Sequence, residues 1–379
     1  MYWIALKMLT GDRSKYVAII LGISFSCVLM AQQAAMFCGI MLRTTSQIRD
    51  VHDADIWVMN PDVAYFDDLK AIADTAYLRV RGVEGVAWAV QFYKGAGQVQ
   101  LPSGTYRGII MFGIDDSTLV GAPQRMILGN IGDLQIADSV LIDEAGYRFL
   151  FPGEAFKLGK TLEMNDHRAI IVGIFKASAT FSTQPILFTR FSQATQFIPQ
   201  YRRMLSFVLA KCKAGESGEV IAQRIHQQTR LKALTRDQFC WATIFYYLDN
   251  TGIPVNFGTT VLLGFVVGCA ISGQTFYLFT VENLKQFGTL KAMGMRDSKI
   301  IRMIFVQAAT VGAIGYGIGV GLATGVGLTM TAIRPILSFF LPWQVLALAA
   351  AAVMVIVLLS SLLSVRRVMV LEPAVVFQS

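Results

Sequence analysis

PILSFFLPWQVLALAAAAVMVIVLLSSLLSV, residues 335–365, runs for 31 residues without an Asp, Glu, Lys or Arg. Val17–Leu42, Val255–Val281 and Met303–Ile333 share that property. Each run exceeds the roughly 20 apolar residues that carry a helix across a bilayer core. The pattern therefore predicts four transmembrane helices, at 17–42, 255–281, 303–333 and 335–365. The composition of the 379-residue chain agrees, with 54% hydrophobic and only 15% charged residues. Soluble domains carry about 25% charged residues, so a soluble enzyme is excluded. Residues 43–254 have no such run and must form a separate water-exposed domain between the first and second spans.

The net charge of +8 is unevenly placed. Residues 1–16, 282–302 and 366–379 hold ten Lys and Arg against four Asp and Glu, whereas residues 43–254 hold 22 against 21. The basic excess is therefore topological and does not mark a nucleic-acid partner. Positive-inside weighting puts both termini and the 282–302 segment in the cytosol, and the large domain and the Arg334 turn outside. Lys7, Arg13 and Lys15 precede the first run as in a signal peptide, but 26 residues is longer than the usual apolar core and no Ala-x-Ala site follows. The first span is read as a retained anchor. Residues 1–16, with Trp3, Ile4, Leu6, Met8 and Leu9, predict a short interfacial helix on the inner leaflet, in contact with membrane lipid.

The outer segment predicts mixed α/β structure. Candidate strands are 55–59, 86–92, 108–114, 139–142, 169–175 and 205–210; candidate helices are 67–79, 191–197 and 218–231. The middle, about 98–185, is strand-rich, which predicts a second lobe inserted into a first built from both ends of the segment. Asp237–Asn250 (DQFCWATIFYYLDN) is dense in aromatics that favour a membrane surface, predicting a helix on the outer leaflet before the second span. The first span continues past Leu42 toward Val51 with no Gly or Pro break.

Candidate chemistry is sparse. Gly159-Lys160-Thr161 resembles the end of a phosphate-binding loop, but Glu154 occupies the position of its first glycine. His52, His167 and His226 are scattered and no Cys-x-x-Cys occurs, so no metal or catalytic constellation is expected. Cys212 and Cys240 are the one pair an oxidising compartment could join. Gly264, Gly268 and Ser272 in the second span, and Gly317, Gly321 and Gly325 in the third, recur at the four-residue spacing that lets membrane helices approach closely. Either packing within the chain or a contact with a second copy accounts for them. The spans contain no charge that would mark an ion path.

VENLKQFGTLKAMGMRDSKIIRM, residues 281–303, mixes Glu282, Lys285 and Lys291 with Phe287, Leu290, Ala292 and Met293, and places glycines at 288 and 294. An apolar anchor with a charged rim suits a partner-docking segment. This stretch resembles the one after the second span in the MacB/FtsX-type permeases of ABC transporters, approximately E-x-x-x-E-[FI]-G-x-[LM]-[KR]-A-[IML]-G. Glu282, Phe287, Gly288, Leu290, Lys291, Ala292, Met293 and Gly294 match, while Gln286 stands where an acidic residue is usual. Arg366, Arg367 and Leu371-Glu372-Pro373-Ala374 resemble that family's ending, Ala5–Ser14 resembles its N-terminal helix, and ADIWVMNPDV (54–63) resembles the DevC-type members.

The resemblance implies an α-helical inner-membrane protein with four transmembrane helices and a large mixed α/β periplasmic domain of two lobes. It implies a permease subunit of an ABC exporter for an amphiphilic or lipid-like substrate, with no catalytic residue or cofactor of its own. ATP and Mg would be bound by a separate cytosolic ATPase. Further implied partners are a second permease copy, a HlyD-like adaptor and a TolC-like outer-membrane channel. The alternative is an FtsX-like regulator that transmits ATPase motion to a periplasmic cell-wall hydrolase; the size of the outer segment favours the exporter.

Overall fold

Two helices, α1 (Tyr2–Gly11) and α2 (Arg13–Thr44), open the computed structural model, which describes residues 2–101, 103–198, 204–333 and 337–369. Three consecutive hydroxyls end α2. Thr44 Oγ1 donates to the Met41 carbonyl (2.7 Å), Thr45 Oγ1 to Leu42 (3.1 Å) and Ser46 Oγ to Arg43 (3.0 Å). Hydroxyls that bond back to the preceding turn bend helices. The helix expected to run toward Val51 is accordingly made in two pieces, with α3 (Ser46–Asp50) following a turn at Thr45.

Met41–Thr251 forms one of two compact units. After α3 come β1 (Ile56–Met59), β2 (Ile72–Ala73), α4 (Ala76–Arg81), β3 (Val86–Gln100), β4 (Tyr106–Ile114) and β5 (Met126–Leu128). Next are β6 (Ser139–Asp143), α5 (Glu144–Leu150), β7 (Thr161–Met164), β8 (His167–Phe175), β9 (Ile186–Arg190) and α6 (Phe191–Phe197). The unit closes with β10 (Met204–Leu205), β11 (Phe207–Cys212), α7 (Gly218–Thr229), β12 (Lys232–Thr235) and α8 (Arg236–Asn250). Its main sheet runs β12-β1-β11-β3-β4-β9-β6-β8-β5, with β7 alongside β3 and β8; β2 and β10 pair separately.

The long strand β3 links the ends of the segment to its middle. Its first half pairs with β11, from Val86 opposite Cys212 to Phe92 opposite Phe207. Its second half pairs with β4, from Tyr93 opposite Gly113 to Gln100 opposite Tyr106. Strands from the ends and from the middle of the segment are thus joined through one strand, in two successive ladders. They also share a core in which Trp57 and Phe92 pack with Phe112 and Phe188. Trp57 meets Phe92 and Phe207 edge-on at 5.5 and 5.4 Å, the arrangement aromatic quadrupoles prefer.

Two expectations fail locally. Residues 67–79 are not one helix: the Asp67 carboxylate is drawn to the buried Lys94 ammonium, and Asp68 accepts from the Ala64 amide at 2.9 Å. These side chains compete with helical hydrogen bonding, and only α4 remains. The aromatic segment 237–250 is helical, as α8, but Phe239, Cys240, Thr243 and Tyr247 are buried, with Phe239 against Trp57. One face is core and only the other, with Trp241 and Phe245, is exposed.

The buried Asp143 carboxyl caps α5, accepting from the amides of Gly146 (3.1 Å) and Ile186 (2.7 Å). Desolvation outweighs these bonds and pushes its pKa up to about 6. Because the folded value exceeds the unfolded one, its favourable contribution is complete below the unfolded value and is lost as pH rises through about 6. Thermal unfolding of the intact chain should therefore show wild type losing on the order of 2 kcal/mol relative to Asp143→Asn between pH 4 and 7. Parallel pH profiles would contradict this reading.

Met1–Ile40 with Gly252–Ser379 forms the other unit. It adds α9 (Ile253–Glu282), with a proline in its first turn, α10 (Leu284–Ala292), α11 (Asp297–Ile333) and α12 (Trp343–Met369). Among the described residues, α2, α9, α11 and α12 are long and apolar enough to cross a membrane. The charge-free run at 335–365 is not helical throughout, since α12 begins only at Trp343. Pro342 accounts for this, because proline lacks an amide donor and disfavours helix in the residue before it. The preceding segment folds against α2, where the Phe340 amide donates to Ala35 O at 3.1 Å. The Arg334 turn, residues 371–374 and most of the 366–379 tail lie outside the described residues.

The glycines of this unit fall into two kinds. A Cβ at Gly268 would stand 2.6 Å from Ser26 Oγ and 2.9 Å from Ile356 Cδ1, and one at Gly264 would stand 3.3 Å from Leu29 Cβ. Ser272, on the same face of α9, is buried. On α11, Gly312, Gly315, Gly319 and Gly327 meet α2, α12 or Phe339 closely, whereas Gly317, Gly321 and Gly325 face nothing within 4 Å. The small face of α9 is therefore used within the chain. Among the described residues, the Gly317, Gly321 and Gly325 face is not.

Candidate functional site

Helix α9 ends at Glu282, where Asn283 turns the chain into α10: the Asn283 amide and its Nδ2 both donate to Phe279 O, at 3.2 and 2.8 Å. At the other end, Gly294 adopts φ +85°. Its amide donates to Lys291 O (3.0 Å) and the Met295 amide donates to Leu290 O (3.1 Å). This pair of bonds is a Schellman cap, which favours glycine at the left-handed position. A Lys291–Asp297 ion pair at 3.3 Å ties α10 to the first turn of α11. Residues 282–297 are thus a short helix held at both ends.

Its two faces differ from the sequence expectation. Phe287 is 1% exposed and packs in one cluster with Leu9, Phe279 and Ile300. Gly288 is also buried and Leu290 half-buried. These residues position α10; as folded, Phe287 is not an external anchor. The exposed side carries Glu282, Lys285, Gln286, Ala292, Met293 and Gly294, with Met293 70% exposed at the tip.

Helix α1 supplies a second wall that the sequence did not connect to this segment. Ala5 and Leu9 are buried, and Gln307 Nε2 of α11 donates to Ala5 O at 2.8 Å. The opposite face presents Trp3, Ile4 and Leu6, with the Lys7 ammonium 4.7 Å from the Trp3 ring centre. Between α1 and the α9–α10 junction lies an open groove of about 510 Å³ lined by Trp3, Lys7, Asp12, Glu282 and Gln286. Lys15 pairs with two of these lining residues, Glu282 and, at 2.9 Å, Asp12. That contact holds the Asp12 carboxyl below its ordinary pKa. Only the reading of residues 1–16 as a short interfacial helix hinted at this wall.

The remaining motifs make no reaction centre among the described residues. Lys160 pairs with Glu154 and lies 4.0 Å from the Phe151 ring centre, in a turn leading to β7 rather than to a helix. Cys212 and Cys240 are both free thiols. No group of three or more His, Cys, Asp or Glu that could hold a metal occurs among the described residues.

Two family models match the chain: the MacB-like periplasmic core domain over residues 17–228 and the FtsX-like permease C-terminal region over residues 256–373. An uncharacterized ABC transporter permease of Mycobacterium bovis is 31% identical over 118 residues, covering 31% of this chain and 32% of that one. A Staphylococcus haemolyticus protein provisionally named a hemin transport system permease is 26% identical over 110 residues, covering 29% of this chain and 30% of that one. The aligned part spans about a third of the length of these relatives. The periplasmic region of MacB from Actinobacillus actinomycetemcomitans aligns with 54% of this chain and 96% of its own length, at 15% identity and a TM-score of 0.39.

Proposed function

We propose, because this chain belongs to the MacB/FtsX-type family of ABC transporter permeases, that it is the membrane subunit of an exporter driven by a separate cytosolic ATPase. The observation that carries the reading is the capped helix α10, which holds Met293 outward at its tip while Phe287 fixes it to the bundle. A rigid element with one apolar tip and a charged surround suits a groove on a partner, since a few desolvated anchors supply most interface energy. The α1 groove, with exposed Trp3 beside Lys7, extends that surface. In this reading ATP and Mg bind the partner, and this chain converts ATPase motion into movement of its outer domain.

The finer parts of the proposal follow the family resemblance. The chain lies in the inner membrane with both termini cytosolic and the outer domain periplasmic. It pairs with a second permease copy through the face of Gly317, Gly321 and Gly325, which no part of this chain fills among the described residues. A HlyD-like adaptor and a TolC-like channel complete a DevC-like route for an amphiphile. Co-purification from native membranes tests the assignment: recovery of an ABC ATPase supports it, and recovery of none contradicts it.

Topology is testable separately. In a variant lacking its native cysteines, an impermeant thiol reagent should reach Ser103→Cys or Ser217→Cys from outside, but reach Ser298→Cys only after the inner membrane is opened. All three positions are exposed, so burial does not confuse the result. Labelling of position 298 in intact spheroplasts would overturn the orientation.

A further inference from the structure

Helix α8 is fixed on one face and open on the other. A capping box starts it: the Gln238 amide donates to Thr235 Oγ1 at 3.3 Å, and the Thr235 amide donates to Gln238 Oε1 at 3.1 Å. Phe239 and Tyr247 bury the inner face. On the outer face Trp241 and Phe245 are 58% and 54% exposed, with their ring centres 5.8 Å apart. They form one wall of an open groove of about 690 Å³, and the start of α7, at Ser217 and Glu219, forms the other. Aromatic side chains are enriched at the centres of protein interfaces, where an anchor held rigid loses little freedom on docking.

The charges around the pair decide what it meets. Along the outer face every fourth residue reads Asp237, Trp241, Phe245, Asp249, and both carboxylates are exposed. Asp237 has the Arg236 guanidinium 3.9 Å away, at the outer limit of an ion pair, and Glu219 accepts from Gln238 Nε2 at 3.5 Å. Asp249 forms no ion pair among the described residues. It stands in the last turn of α8, where the negative end of the helix dipole opposes an acid, so helix stability does not account for it. Only Thr251 and Gly252 separate α8 from α9, which makes a lipid surface the first alternative. Helices that lie on lipid carry Lys and Arg around their aromatics. The outer face of α8 brackets its aromatics with acids instead.

We propose that this face docks a basic segment of another protein, with apolar side chains on Trp241 and Phe245 and a Lys or Arg opposite each of Asp237 and Asp249. The two acids lie about 18 Å apart along the helix axis, at about 1.5 Å per residue. A partner helix meets that spacing with basic residues about 12 positions apart, and an extended segment with about five or six. Glu219 adds to the acidic side of the groove. The inference concerns the outer domain alone and stands whether or not an ATPase is recovered.

The test uses the full-length protein in native membranes, with a benzophenone-bearing amino acid in place of Phe245, which keeps an aromatic ring there. One dominant protein adduct is expected, and mass spectrometry of the crosslinked peptide should show Lys or Arg on both sides of apolar residues. Asp237→Lys with Asp249→Lys should lower the adduct yield at least about tenfold, and glutamate in place of the partner's two basic residues should restore it to within about threefold. A melting temperature within about 2 °C of wild type separates lost docking from lost folding. Trp241→Ala, which removes an exposed anchor and no charge, should lower the yield independently. Adducts to lipid or to a second copy of this chain, the absence of a protein adduct, or a yield indifferent to the charge reversal would overturn the proposal.

Discussion

Met293→Asp should abolish association with the ATPase while leaving the protein inserted and folded. Met293 is 70% exposed, so the substitution costs little locally. At an interface it would place an unpaired charge where an apolar tip is desolvated, and loss of such an anchor costs on the order of 2–4 kcal/mol. That corresponds to at least about a 30-fold fall in affinity, measurable by pull-down of the ATPase or by its permease-dependent ATP hydrolysis. Lys299→Ala, which removes an exposed rim charge, should change either readout less than about threefold, because exposed ion pairs contribute only about 0–1 kcal/mol. Phe287→Ala should also weaken coupling, by a different route. It removes a buried ring from the cluster shared with Leu9 and Ile300, a change that costs about 3–5 kcal/mol in a packed core, and so should lower thermal stability as Met293→Asp does not. Normal ATPase binding by Met293→Asp would remove α10 as the docking element.

The second large effect concerns the helices of the bundle. Gly319→Leu should prevent correct assembly of α2 with α11, because even its Cβ would stand 2.6 Å from Cys27 Cβ and 2.9 Å from the Ser24 carbonyl oxygen. Neither neighbour is the loose end of a long side chain, so one helix must move away. Overpacking of this kind typically costs 1–3 kcal/mol for added methylenes alone, and displacement of a helix adds to it. Gly321→Leu, two residues on, meets nothing within 4 Å. It should leave the melting temperature of the single chain within about 2 °C and instead disturb association of two copies. Detergent-stable folding by fluorescence size exclusion separates the two variants. If both fold and self-associate like wild type, neither face packs as described.

The parts of this architecture legible in the sequence are those written as continuous runs. Four charge-free stretches marked the four long helices because lipid tolerates few charges over such a length. Pro342 limited that reading: its own run is apolar throughout, yet the helix starts only at Trp343. Gly294 in the 282–297 segment was readable as special, and its left-handed cap is the reason. Which way α10 faces was not readable. Phe287 and Met293 look equally apolar in sequence, and only packing against Leu9 and Ile300, from distant parts of the chain, turns one in and leaves the other out.

The outer domain shows the same limit. Residues 237–250 look like an interfacial helix by composition, but one helical face, with Phe239, Cys240, Thr243 and Tyr247, is committed to the core. Residues 67–79 lost their expected helix to a buried lysine on another strand.

A photo-crosslinking amino acid placed at Met293 in living cells, followed by mass spectrometry of the adduct, tests the central claim most directly. The account predicts one dominant adduct, an ABC ATPase crosslinked through its exposed groove, and no such adduct from the same residue placed at Phe287, which is turned into the bundle. An adduct to any other class of protein at position 293, or an equal ATPase adduct from position 287, would contradict it.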